Sequence, residues 1–163
     1  MEYKIRFVPG NPKFDTLGVM KLSCDSSVDI NSRIYGQAQL GRSEEFIFAR
    51  VWSFETAPTA ASRVGLTLQN GDSKIEMTAC FDESSSLFIN GSDCKNLLTA
   101  YLISGEDLQG EYWGAVMMLP ASEFFAALKI DKASLPAVIA ANVYRQSDTL
   151  SSACGEFTLL SDN

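Results

Sequence analysis

Alternation of apolar and polar residues with period two runs along most of this chain, and it restricts the fold to strands with one buried face. The segments "YKIRFV" (3–8), "IYGQAQL" (34–40), "EEFIFARVWSFE" (44–55), "RVGLTLQ" (63–69), "KIEMTACF" (74–81) and "SSLFIN" (85–90) each read as a strand. So do "LLTAYLIS" (97–104), "YWGAVMML" (112–119), "AVIAANVYR" (137–145) and "GEFTLL" (155–160). Asn70-Gly71 and Asn90-Gly91 are tight-turn signals between them. Strands recurring at this short spacing predict an all-β fold, an antiparallel β-sandwich of immunoglobulin- or jelly-roll-like type with one or two short helices. A helix is expected after Pro120, with that proline in its first turn, Ser122 as cap and "EFFAAL" as apolar face. A further helical turn is expected near "DKASLP" (131–136). No linker or repeat divides the 163 residues, so a single domain, 1–163, is expected.

Two strands bear most on function. In 44–55, Ile47, Ala49 and Val51 share one face and read as core, while Phe46, Phe48, Arg50, Trp52 and Phe54 share the other. An aromatic face with arginine at its centre is either covered by a second layer or lines a groove. The arginine favours the groove, because a fully buried guanidinium needs a partner. In 112–119, Trp113, Ala115, Met117 and Leu119 form a wholly apolar face, so Trp113 is expected to pack between sheets.

The composition excludes several chemistries. Histidine is absent, which removes Ser-His-Asp and Cys-His nucleophiles, His-ligated zinc and His-ligated haem. Cys24, Cys80, Cys94 and Cys154 form no Cys-x-x-Cys pair and read as small, half-buried residues. With a net charge of −7 and 13 scattered basic residues, nucleic-acid binding is not expected. No apolar run approaches the roughly 20 residues of a spanning helix, so no membrane partner is expected. The N-terminus is charged and strand-like, which predicts a cytoplasmic protein. Asp82 and Glu83 at a turn, and Asp25 and Asp29 in a Ser-rich loop, read as solvated acids and not as a glycosidase pair; no enzyme activity is expected. Asp82, Glu83, Asp93 and the loop "CDSSVD" (24–29) are the candidates for calcium, without the spacing of an EF-hand; no other cofactor is expected.

The order of four segments, "EFIFARVWSFETAP", "RVGLTLQNGDSKIEMTACF", "EYWGAVMMLPASEFF" and "AANVYRQSD", resembles the domains related to carbohydrate-binding module family 9. The resemblance spans roughly residues 34 to 150 and implies an antiparallel β-sandwich that binds sugar without catalysis, by stacking aromatic rings on pyranose faces. Structural calcium occurs in such modules. Carried over by position, it implies ligand roles for Trp52, Glu76, Tyr144 and Arg145, beside Asn142; Arg50 joins them as the cation on the strand face of Trp52. The chain departs from the pattern at Phe48, Gly65, Thr78, Val116 and Met118, mostly exchanging polar groups for apolar or smaller ones.

Two functions are therefore expected in order. The first is a non-catalytic carbohydrate-binding-like module with altered or lost affinity, holding sugar by stacking on one sheet face. The second is a protein-interaction or apolar-ligand sandwich, motivated by an apolar surface along Gly65, Val116 and Met118. A redox or haem-binding sandwich would rest on Met117 and Met118 alone and fits poorly without histidine.

Overall fold

The computed structural model describes residues 1–162. All ten expected strands form, and two more join them. In chain order they are β1 (Glu2–Phe7), β2 (Met20–Cys24), β3 (Gly36–Arg42), β4 (Phe46–Ser53), β5 (Arg63–Asn70), β6 (Ser73–Cys80), β7 (Ser85–Ile89), β8 (Ser92–Asp93), β9 (Thr99–Asp107), β10 (Gly110–Pro120), β11 (Ala137–Gln146) and β12 (Leu150–Leu159). They form two facing sheets, β8-β7-β6-β5-β11-β12 and β3-β4-β10-β9. The fold is the all-β sandwich that the alternation predicts, with one helix.

The sheets are joined by strands that belong to both. The first half of β1 runs parallel to β12, Glu2 to Ile5 beside Glu156 to Leu159. Its end, Arg6 and Phe7, runs parallel to Gly41 and Arg42 of β3. Likewise β2 pairs with β3 through Met20 to Leu22 and with β12 through Ser23 and Cys24. The strand β2 gives little sequence signal, since five residues after a Pro- and Gly-rich stretch resemble the end of a loop.

The core lies where the alternation places it. Ile47, Ala49 and Val51 of β4 face Val64, Leu66 and Leu68 of β5 and Ile139 and Val143 of β11, all at most 2% exposed. Burying each of these Val, Leu and Ile side chains stabilises the fold by about 1.5–3 kcal/mol. Asn90 and Gly91 form the two-residue loop between β7 and β8, both with positive φ as a type I′ turn requires.

The helix, α1 (Ala121–Leu128), closes one end of the sandwich by inserting Phe124 and Leu128 between the sheets. Its start corrects the sequence expectation. Pro120 is the last residue of β10 and the N-cap itself, no side chain caps the helix, and Ser122 lies inside it. The β10 hydrogen-bond ladder carries the backbone directly into the first turn, where the Ala121 N–H donates to the Glu45 carbonyl at 2.8 Å. At the other end Lys129 takes φ +55, and Asn70 Nδ2 donates to the Leu128 carbonyl at 2.8 Å, satisfying a carbonyl left open by the last turn. The expected turn near residues 131–136 is a 3-10 helix, Lys132–Ser134, capped by Asp131.

Candidate functional site

The outward face of β3-β4-β10-β9 is the aromatic face that the reading of 44–55 anticipated. Register sets out its rows. Gly41, Phe48, Met118 and Thr99 lie side by side; then Gln39, Arg50, Val116 and Tyr101; then Gln37, Trp52, Gly114 and Ile103. Tyr112 and Gly105 continue the pattern beside Phe54.

One half of this face is covered by the chain itself. The loop of residues 8–19 lays Val8, Phe14 and Leu17 over Phe48, which is fully buried, with Met118 alongside. Three polar contacts hold the loop. Gln39 Nε2 donates to the carbonyls of Phe14 and Leu17 at 3.1 and 3.0 Å. The Tyr3 hydroxyl donates to the Gly18 carbonyl at 2.6 Å and accepts the Leu40 N–H at 3.0 Å. Its burial pushes the phenol pKa up, so it stays a donor.

The other half is open. Tyr35 and Phe54, with Lys21, Ser23, Gln37 and Gln109, line a recess of about 440 Å3. Gln37 Nε2 donates to Gln109 Oε1 at 3.1 Å across its floor. The adjoining depression of about 110 Å3 is lined by Arg50, Trp52, Ile103, Asp107 and Tyr112. Tyr112 connects the two, its ring centroid 6.1 Å from Phe54 and 6.5 Å from Trp52. Glycine makes this arrangement possible. A Cβ on Gly105 would lie 2.7 Å from the Tyr112 hydroxyl oxygen, so the ring lies across its strand neighbour where only a glycine leaves room.

Arg50 sits at the border of the two halves. Its guanidinium carbon is 4.9 Å from the Phe14 ring centroid and 4.8 Å from that of Trp52, a cation held between two π faces. Nη2 donates to Gln39 Oε1, and Nε is buried without a partner. Trp52 is 7% exposed, so it forms the floor of the depression more than a free platform.

The remaining residues singled out from the sequence lie elsewhere. Glu76 and Tyr144 are on the outward face of the opposite sheet. Glu76 pairs with Lys74 at 3.1 Å, and the Tyr144 hydroxyl shares a 2.9 Å hydrogen bond with Thr78 over Gly65. Asn142 lies on that face too, its Oδ1 buried and unpartnered. Arg145 is fully buried at one end of the sandwich interior. Its Nε donates to Ser53 Oγ at 3.1 Å, Nη1 to the Thr149 carbonyl at 2.9 Å and Nη2 to Ser147 Oγ at 2.5 Å, with Glu55 Oε1 3.8 Å away. Burial lowers its pKa and the Glu55 charge opposes that shift. Thus the structure brings Arg50 and Trp52 together and separates them from Glu76, Tyr144 and Arg145.

Trp113 packs between the sheets as expected, 3% exposed, but it is not without a polar neighbour: its indole N–H donates to Glu55 Oε1 at 3.0 Å. The supposed apolar surface along Gly65, Val116 and Met118 does not assemble. Gly65 lies on one sheet and the other two on the opposite one, where Met118 is packed under residues 8–19. Sequence reasoning passed over Tyr35, Gln37, Gln109 and Lys21. The alternating glutamines of "GQAQL" were a usable signal for Gln37; Gln109 needed the β9–β10 register. The candidate calcium carboxylates are engaged locally, Asp25 with Ser27, Asp82 with Ser84 and Asp93 with Lys95 N–H, and these hydrogen bonds hold Asp25 and Asp82 below the usual carboxylate range. Among the described residues no three Asp, Glu or Cys side chains converge on a metal-sized point.

The fold is one shared with solved carbohydrate-binding modules. Among the solved structures it resembles is a family 9 module from Caldicellulosiruptor kristjanssonii in complex with glucose, at TM-score 0.70 and 7% identity over 98% of this chain and 97% of that one. The same organism's family 9 module in complex with cellotriose matches at TM-score 0.70 and 7% identity, over 100% and 95%. A Bacteroides uniformis protein matches at TM-score 0.70 and 12% identity, over 97% and 98%. No family model and no curated protein matches the chain. At these identities the likeness establishes the fold, that of family 9 carbohydrate-binding modules.

Proposed function

We propose that this protein is a non-catalytic carbohydrate-binding module whose ligand lies in the recess of β3, β4 and the β9–β10 hairpin. One observation carries the reading: two aromatic rings, Tyr35 and Phe54, meet two side-chain amides, Gln37 and Gln109, in one open recess of about 440 Å3. That is the chemistry of sugar recognition, in which C–H groups stack on ring faces while amides and hydroxyls orient the polar edge. The volume falls within the range of roughly 300–1,000 Å3 typical of small-ligand sites. Tyr112 extends the stacking surface towards the depression above Trp52, and Arg50 supplies donors there. Glu76 and Tyr144 take no part in this site, and Arg145 acts as an internal strut. Asp107 is the single acid on the two linings, so the paired carboxylates of glycoside hydrolysis have no counterpart there.

Calorimetric titration of saccharides chosen by glycan array tests the reading. Binding is expected, with Tyr112→Ala weakening it at least about tenfold while the thermal midpoint moves little. Failure of every mono- and oligosaccharide to bind would overturn it.

A further inference from the structure

Four arginines are wholly or partly withdrawn from water, and they are not treated alike. Arg33, half-buried and without a carboxylate in salt-bridge distance among the described residues, spends Nε and Nη2 on the carbonyls of Val28 and Ser26. Arg42, 1% exposed, pairs with the Asp162 carboxylate. Arg145, fully buried, has Glu55 beside it. Arg50 has no carboxylate within salt-bridge distance among the described residues; its one protein acceptor is the neutral Gln39 side-chain oxygen. Two aromatic rings shield its guanidinium, and its Nε is buried without an acceptor. Withdrawing a cation from water while leaving it without an anion is unfavourable, and in a chain of net charge −7 carboxylates are plentiful. The missing anion is missing at the place where the ligand face opens.

We infer that the saccharide bound here carries a carboxylate, as a uronic acid does, and that Arg50 receives it in the depression above Trp52. This rests on the carbohydrate reading above. At about 110 Å3 the depression suits a ring substituent and not a whole sugar ring, while the recess beside it takes the ring. A planar guanidinium matches a carboxylate with paired hydrogen bonds, which an ammonium does not. Lys21 on the recess wall adds a second positive charge. Asp107 lines the same depression and works against an anion; its Oδ1 already accepts the Gln109 N–H at 2.7 Å, and its other oxygen is suited to a sugar hydroxyl.

The test compares matched ligands by calorimetry: a uronic-acid-terminated disaccharide, its methyl ester and its neutral hexose counterpart, in glucose- and galactose-configured series. The acid is expected to bind at least about tenfold more tightly than its ester, a preference that Arg50→Gln abolishes by weakening the acid far more than the ester. Arg50→Lys separates charge from geometry and should retain a reduced preference. Melting curves confirm that both variants fold; should Arg50→Gln not fold, the wild-type comparison of acid with ester decides alone. Equal or tighter binding of the ester and the neutral sugar overturns the inference and leaves the carbohydrate reading standing. If neither series binds, the inference is overturned, and if every mono- and oligosaccharide of the glycan array fails as well, the carbohydrate reading falls with it.

Discussion

The Arg145 side chain illustrates how a residue can look functional in sequence and be structural in space. A cation in an "NVYR" strand suggests a ligand contact, yet it spends its donors on Ser53, Ser147 and Thr149 and sits against Glu55. Glu55 in turn accepts from Trp113 and from Ser62 Oγ at 2.7 Å, so one carboxylate joins three strands and a loop. Glu55→Gln removes the anion and leaves a buried guanidinium uncompensated. Urea denaturation should show a loss of about 3–5 kcal/mol with an unchanged slope against denaturant. Glu55 and Arg145 lie ninety positions apart, and no periodicity links them; only the packing of β11 across the sandwich from the end of β4 brings them together. What alternation did reveal was local: which side of β4 is core, and that an arginine stands among aromatics on the other.

Elements add constraints that single residues hide. On β10, Gly114 stands directly opposite Trp52, and a Cβ there would press on the Val51 carbonyl and lie 2.6 Å from the Trp52 Cα. Backbone cannot yield as a side-chain tip can. Gly114→Ala is therefore expected to push β10 off β4 and cost about 1–3 kcal/mol, read as a lower melting temperature. Gly105 behaves differently, because the atoms it would meet belong to the movable end of Tyr112. Gly105→Ala should leave the melting temperature nearly unchanged while tilting the ring, so that saccharide affinity falls by several-fold, about 1 kcal/mol, in calorimetry. The strands themselves were legible because each has one dry face. The loop of residues 8–19 was not, since its anchoring depends on Gln39 and Tyr3 reaching its carbonyls, and its Pro and Gly content suggests only a connection. For that reason the aromatic face reads in sequence as either covered or open, and it proves to be half of each.

For the molecule as a whole, the tail after β12 closes the structure over Arg42. Asp162 bonds the Arg42 guanidinium, which also donates through Nε to the Leu160 carbonyl at 2.9 Å and lies 5.0 Å from the Phe7 ring centroid. The hydrogen bond from Arg42 is the main cause holding the Asp162 carboxyl below its ordinary value of 3.8, with the charges of Arg42 and Lys132 adding to it. A carboxyl with a depressed folded pKa favours the folded state fully above the unfolded value, and that contribution is lost as pH falls through the folded pKa. Stability measured by thermal melts should therefore drop as pH goes below about 4, and Asp162→Asn should flatten that part of the profile while lowering stability at neutral pH. The two-sheet path also accounts for what the sequence could not convey: β1 and β2 each serve both sheets, and a strand's partners are not written in its own alternation.

The parallel pairing of β1 with β12 has a mechanical side. Glu2 lies beside Glu156 and Ile5 beside Leu159, so tension applied through the two chain ends would drag these strands lengthwise past one another. Hydrogen bonds loaded in that way share the force and must rupture together instead of unzipping singly. A module built so can stay folded while tethered to something that pulls.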